Sequence, residues 1–188
     1  MKISAKILLT LFFVCEVICI FFAIRSFLYP IKYKNLIVKY AQEYQLSPSV
    51  VASIINVESS FDKTAKSQVG AIGLMQIMPD TAKYICELNH INFYNKNDLY
   101  EPEKNIQIGC MYFRYLLNKF QNFDNTIYAY NAGETTVKNW LKNTEYSPDQ
   151  KHITNVPYIE TKNYFNKINK NIKIYKNYKF WYYFCIFT

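Results

Sequence analysis

The chain has 188 residues, enough for one domain rather than two. Half of them are hydrophobic and 18% are aromatic, with only four Gly and six Pro, which excludes global disorder, a collagen and a many-turned β-sandwich. The formal charge is +8, but residues 1–30 carry a net +2, residues 31–150 a net 0 and residues 151–188 a net +6, so the neutral body argues against a nucleic-acid partner.

The N-terminus sets the compartment. Lys2 and Lys6 precede an apolar run from Ile7 to Ile24, interrupted only by Thr10 and Glu16, and Arg25 follows it. These 18 residues would rise about 27 Å as a helix, close to a hydrocarbon core of ~30 Å. A cleaved signal peptide has a shorter apolar region and a small-x-small site, and the run after Ile20 is bulky. The expectation is an uncleaved signal anchor over residues 1–30, with the chain from about residue 30 onward outside the cytoplasm by the positive-inside rule; the alternative is a cleaved signal peptide and a secreted protein. Glu16 at mid-span costs a few kcal/mol.

Beyond it the pattern is helical throughout. Ile31 to Gln45 carries Leu36, Ile37, Tyr40, Ala41 and Tyr44 at helical spacing. Ser47 and Pro48 predict an N-cap and first turn, opening a stripe of Val50, Val51, Ile54, Ile55 and Glu58. A helix is predicted from Asp80 through Cys86, and a long one from Glu101 to Phe120. Shorter helices follow at Asn125–Asn131 and Thr135–Leu141, and a last one after Pro157 through Ile168. The fold class is mostly α. The lysines of Lys167–Lys179, spaced by three, give the last helix a broad basic side, and residues 180–187 form an aromatic end too short to span a membrane. Five Cys without a C-x-x-C pair, and two isolated His, argue against a zinc site, so Cys86 and Cys110 read as small core residues.

Glu58 is the most informative position. It sits four residues after Ile54 and three after Ile55, which puts a carboxylate on the apolar stripe near the helix C-terminus. Burial and the negative helix end both disfavour its charged form, so its pKa is expected to rise, as a general acid requires. Gly70 and Gly73 lie three apart beside Met75, Gln76 and Met78, predicting a tight loop against a groove. Gly133 is placed to end a helix carrying Tyr130 and Asn131. Glu160 and Tyr164 share a face of the last helix. Amides, phenols and carboxylates of this kind are an inventory for binding sugars.

Four segments occur in one order: Glu58-Ser59, Gly73-Leu74-Met75-Gln76 preceded by Ser67, Ala129-Tyr130-Asn131-Ala132-Gly133, and Glu160-Thr161-x-x-Tyr164. Together they resemble the soluble lytic transglycosylase catalytic domain family, of the lysozyme-like superfamily, over roughly residues 31–175. The resemblance implies a lysozyme-like α-helical fold and peptidoglycan glycan strands as substrate, with no cofactor and no metal. It implies Glu58 as the single catalytic acid/base, and Ser67, Met75, Gln76, Tyr130, Asn131, Glu160 and Tyr164 as substrate contacts. Ser67 would orient the substrate N-acetyl group. The implied reaction is cleavage between N-acetylmuramic acid and N-acetylglucosamine without water, leaving 1,6-anhydro ends. The residues by themselves leave open a hydrolase that pairs Glu58 with Asp62 or Glu160, and a silent peptidoglycan-binding module. The resemblance does not reach past about Tyr175, so residues 176–188 are set apart as a tail.

Overall fold

The computed structural model describes residues 5–92 and 95–177; the aromatic end at 180–187 and Lys2 lie outside the described residues. The chain divides into two compact units between Ile31 and Lys32. The first is α1 (Ala5–Leu28), an apolar helix long enough to cross a membrane by length and composition. None of its described residues is buried.

The second unit holds α2 (Lys34–Glu43), α3 (Pro48–Ser59), α4 (Pro79–Leu88), a 3-10 turn (Lys96–Tyr100), α5 (Pro102–Phe120), α6 (Phe123–Ala132), α7 (Glu134–Lys142) and α8 (Ile159–Lys176). Among the described residues the only extended pairing is two isolated bridges, Lys66 with Ile72 and Ile72 with Ile77. The fold is mostly α.

Helix starts follow the chemistry of their first residues, with small corrections. Pro48, Pro79 and Pro102 each stand in a first turn, where the missing N–H costs nothing. The helix expected at Asp80 therefore begins one residue earlier. Ser47 occupies the N-cap of α3, but its hydroxyl pairs with Ser49 Oγ at 2.8 Å and makes no bond to the helix backbone. Asn122 does cap α6, accepting from the N–H of Asn125 at 2.9 Å. Patterning did not reveal the 3-10 turn, because five residues are too few for an apolar period.

α3 is the central helix. Residues 49–55 are all buried, so the helix is enclosed on every side rather than along one stripe. It packs most extensively on α8. The polar members of that run are satisfied, Ser53 Oγ donating to the Ser49 carbonyl at 2.6 Å. A second cluster joins α5, α6 and α7 through Leu116, Tyr128, Ala129, Val137 and Trp140, closed by Ile153. Cys86 and Cys110 are buried free thiols. Arg114 of α5 ties down the end of α2, its Nε donating to the Tyr44 carbonyl at 2.7 Å. This satisfies a carbonyl that the helix end leaves open.

Candidate active site

The central helix delivers a carboxylate to a cleft. α3 ends at Ser60, left-handed at φ 52°, whose N–H closes back on the Asn56 carbonyl. Phe61 is left-handed as well, φ 64°, and is buried with its ring 6.5 Å from that of Tyr175. Glu58 thus occupies the last turn of a buried helix, in a cleft of about 490 Å³ lined also by Val57, Asn131, Glu160, Asn163 and Tyr164. Tyr164 of α8 donates its hydroxyl to Glu58 Oε1 at 2.7 Å. Burial pushes the Glu58 pKa up to about 7, against the opposing pull of the Tyr164 bond. Burial likewise raises the Tyr164 phenol, helped by the facing charge of Glu58, so Tyr164 stays a donor.

A loop built on glycine and one buried amide forms the next wall. Ser59, beside Glu58, donates its hydroxyl to the Leu74 carbonyl at 2.8 Å, fastening α3 to this loop. Asn105 of α5 is fully buried and makes three bonds. Its Nδ2 donates to the carbonyls of Ile72 at 2.9 Å and Leu99 at 2.8 Å, and its Oδ1 accepts from the N–H of Met75 at 2.8 Å. Gly73 is left-handed at φ 77°, and a Cβ there would stand 2.3 Å from both Asn105 Nδ2 and the Leu99 carbonyl. No other residue type fits.

Two expected substrate contacts lie in this loop. Met75 is fully buried, with its Sδ directed to Gly109 of α5, where a Cβ would come within 2.3 Å. Its thioether fills the gap left by a missing side chain on α5. Gln76 is left-handed at φ 48°, and its Nε2 donates to the carbonyls of Gly73 at 2.9 Å and Ala65 at 3.2 Å. Its donors hold the loop, which leaves its amide oxygen for a ligand. Ser67 Oγ accepts from the N–H of Ala71 at 2.9 Å, so its hydroxyl hydrogen remains for donation. Its neighbours Lys66, Val69 and Gly70 line a separate cleft of about 390 Å³.

The end of α6 supplies the floor. Tyr130 donates its hydroxyl to the Met75 carbonyl at 2.8 Å, and burial raises its phenol well above the usual range, with Glu58 adding to the effect. Asn131 Oδ1 accepts from Thr161 Oγ1 at 2.7 Å, which fixes the amide and leaves its N–H donors for the cleft. Glu160 is exposed on the same cleft. Asp62 is exposed elsewhere: its Oδ1 accepts from the Thr64 N–H and hydroxyl, which hold its carboxyl below the ordinary value. Among the described residues, no group of three or more His, Cys, Asp or Glu could hold a metal ion.

The structure therefore gathers Glu58, Asn131, Glu160 and Tyr164 around one cleft, with Tyr130 adjoining. Asn105 escaped sequence reasoning as a positioning residue, and Ser59 and Thr161, though inside the motifs, were given no role there. The signal for Asn105 was present, since it lies four residues before Gly109 and so shares the face against which the loop packs.

Residues 35–153 match the family model described as a transglycosylase SLT domain. The chain is 37% identical over 155 residues to a soluble lytic murein transglycosylase of Salmonella typhimurium, covering 80% of this chain and 23% of that protein. It is 33% identical over 154 residues to the membrane-bound lytic murein transglycosylase E of Buchnera aphidicola, covering 78% of this chain and 68% of the relative. The crystal structure of the 70-kDa soluble lytic transglycosylase of Escherichia coli superposes with a TM-score of 0.71 at 31% identity, over 80% of this chain and 25% of that one. The chain thus spans about a quarter of the length of the soluble relatives it matches. With the fold, the cleft and the matched span in agreement, the chain belongs to the transglycosylase SLT domain family.

Proposed function

We propose that this protein is a peptidoglycan lytic transglycosylase in which Glu58 is the single acid and base. The observation that carries the reading is a carboxyl pushed up to about 7 by burial, held by the Tyr164 hydroxyl, and facing a cleft. Near neutral pH such a group holds its proton part of the time and accepts it back readily. In the first step Glu58 donates its proton to the glycosidic oxygen between N-acetylmuramic acid and N-acetylglucosamine. The C1–O bond breaks, and positive charge builds at C1 of the muramic residue. Glu58, now a carboxylate, takes the proton of the C6 hydroxyl of that same residue as its oxygen attacks C1. The products are a free 4-hydroxyl on the glucosamine and a 1,6-anhydro ring on the muramic acid, and Glu58 is protonated again. Tyr130, Asn131, Gln76 and Ser67 provide amide and hydroxyl groups for the sugar, and Glu160 a carboxylate at the rim.

A single carboxylate fits the site better than a pair. Asp62 is committed to Thr64 away from the cleft, which leaves Glu160 as the partner a hydrolase would use. Mass spectrometry of muropeptides released from purified sacculi separates the two reactions, because a hydrolase product is heavier by one water. The expected products carry anhydro ends, and Glu58→Gln releases none. Reducing muramic ends, or full activity in Glu58→Gln, would overturn the assignment.

We also infer that α1 anchors the protein in a membrane with the chain from about residue 30 outside the cytoplasm. Its 24 residues amount to about 36 Å of helix, more than the ~30 Å of a hydrocarbon core. A relative named as membrane-bound is consistent with association with a membrane.

A further inference from the structure

α8 has two unlike sides. Thr161, Tyr164, Ile168, Asn171, Ile172 and Tyr175 are buried. Lys162, Lys167, Lys170, Lys173 and Lys176 are all exposed. At about 100° per residue, Lys162, Lys170, Lys173 and Lys176 fall within an arc of about 120°, on the side away from the buried residues. Asn166 and Asn169 stand between them. Along the axis the row extends about 21 Å.

The charge of this row is uncompensated. None of the ion pairs among the described residues involves a lysine of α8. The one acid of the helix, Glu160, lines the Glu58 cleft instead. Like charges one turn apart oppose a helix, so the row is a cost to the fold until an anionic surface faces it.

The row ends near the point where the apolar segment joins the unit. Tyr175, in the last turn of α8, has its ring 6.5 Å from that of Phe61. The next residue, Asp62, is held low first by Thr64 and then by the charge of nearby Lys32. Lys32 is the first residue of the unit, and three residues separate it from Leu28 at the end of α1. Four peptide steps span at most about 15 Å, so in an anchored chain Lys32 stays close to the headgroups. A surface to which the chain is already tethered is present at high effective concentration, and contacts that are weak singly then add. A soluble polyanion has no such tether.

We propose that the face of α8 formed by Lys162, Lys170, Lys173 and Lys176 lies on the anionic phospholipid headgroups of the membrane that holds α1. The inference rests on the membrane reading of α1. The Glu58 cleft borders the same helix through Asn163, Tyr164 and Lys167, so docking of this face fixes the height of the cleft above the lipid.

The test places the full chain in nanodiscs of phosphatidylcholine alone, or of phosphatidylcholine and phosphatidylglycerol in equal parts. Lysines are acylated with a soluble N-hydroxysuccinimide ester and read by mass spectrometry. An anionic surface attracts each nearby lysine by about a factor of five, so the four lysines should label about fivefold more slowly in the anionic discs. Lys83 of α4 and Lys142 of α7, both exposed, should label alike in the two. About 1 M salt, which screens charges beyond ~3 Å, should abolish the difference. In the triple variant Lys170→Gln, Lys173→Gln, Lys176→Gln, Lys162 should lose its protection. Equal labelling in both discs, or equal slowing at Lys83 and Lys142, overturns the proposal. So does protection by inorganic polyphosphate in neutral discs without any in anionic ones, which assigns the face to a soluble polyanion. A chain that high salt strips from neutral discs has no anchor, and the membrane reading falls together with this inference; a chain that stays in both discs and labels equally sinks the inference alone.

Discussion

In the proposed reaction Glu58 holds a proton at one step and lacks it at the next, and its surroundings suit that ambivalence. Burial lifts its pKa to about 7, while the Tyr164 hydroxyl restrains the rise. The lift has a stability consequence. Between the ordinary carboxyl value of 4.5 and about 7, the folded chain keeps a proton that the unfolded chain has lost, so stability falls as pH rises through that window. Glu58→Gln removes the penalty: it should stabilise the folded chain at pH 8 by an amount on the order of 2–3 kcal/mol, seen as a higher melting temperature, and leave it unchanged at pH 4, which thermal denaturation at both values checks. Tyr164→Phe deletes the bond that lowers the Glu58 pKa, so the alkaline limb of the activity profile should move to higher pH. A loss of rate without that movement would show that Tyr164 acts only by orienting the carboxyl. The upward direction at Glu58 was legible in the sequence, because a carboxylate at the end of an apolar stripe has few ways to avoid burial. Its partner was not, since 106 residues separate Tyr164 from Glu58 and no local period connects them.

At the scale of elements, the loop from Ala65 to Met78 owes its shape to α5. Asn105 bonds three backbone groups of the loop and the 3-10 turn, and all three lose their partner in Asn105→Ala. The expected cost is about 3 kcal/mol or more, measured by denaturant unfolding, with catalytic rate falling further than stability alone explains. Gly109→Ala tests the other side of the same joint. Alanine favours a helix interior by about 1 kcal/mol over glycine, but its Cβ would meet the Cβ of Met75 at 2.9 Å as well as the movable thioether. Packing should win, destabilising by about 1–3 kcal/mol, and Met75→Ala, which removes the thioether but keeps the Cβ, should relieve only part of that cost in the double variant. A stabilised single variant would refute this account of Met75. The two glycines of the loop were visible as a turn in the sequence. That Met75 turns inward and Gln76 spends its donors on the loop was not, because both depend on what α5 presents across the gap.

For the whole molecule, the division at Ile31 separates a helix with no buried residue among those described from a unit with its own core. Removing residues 1–31 should therefore leave a folded remainder while moving the protein from the detergent to the aqueous phase in phase partitioning. A truncated chain that still enters the detergent phase would place the membrane contact elsewhere, with the lysine-rich face of α8 the first region to examine. The sequence alone determined the helical class, the approximate span of each long helix, the apolar N-terminal segment and the unusual position of Glu58. All of these are written in local periods, capping residues and composition, which neighbouring residues impose on one another. Tertiary structure alone decided that α3 is enclosed on every side, that α8 brings Tyr164 to Glu58, and that Asn105 organises the loop. Those arrangements arise between segments far apart in the chain, where packing and the pairing of buried polar groups, rather than local preference, select the partner.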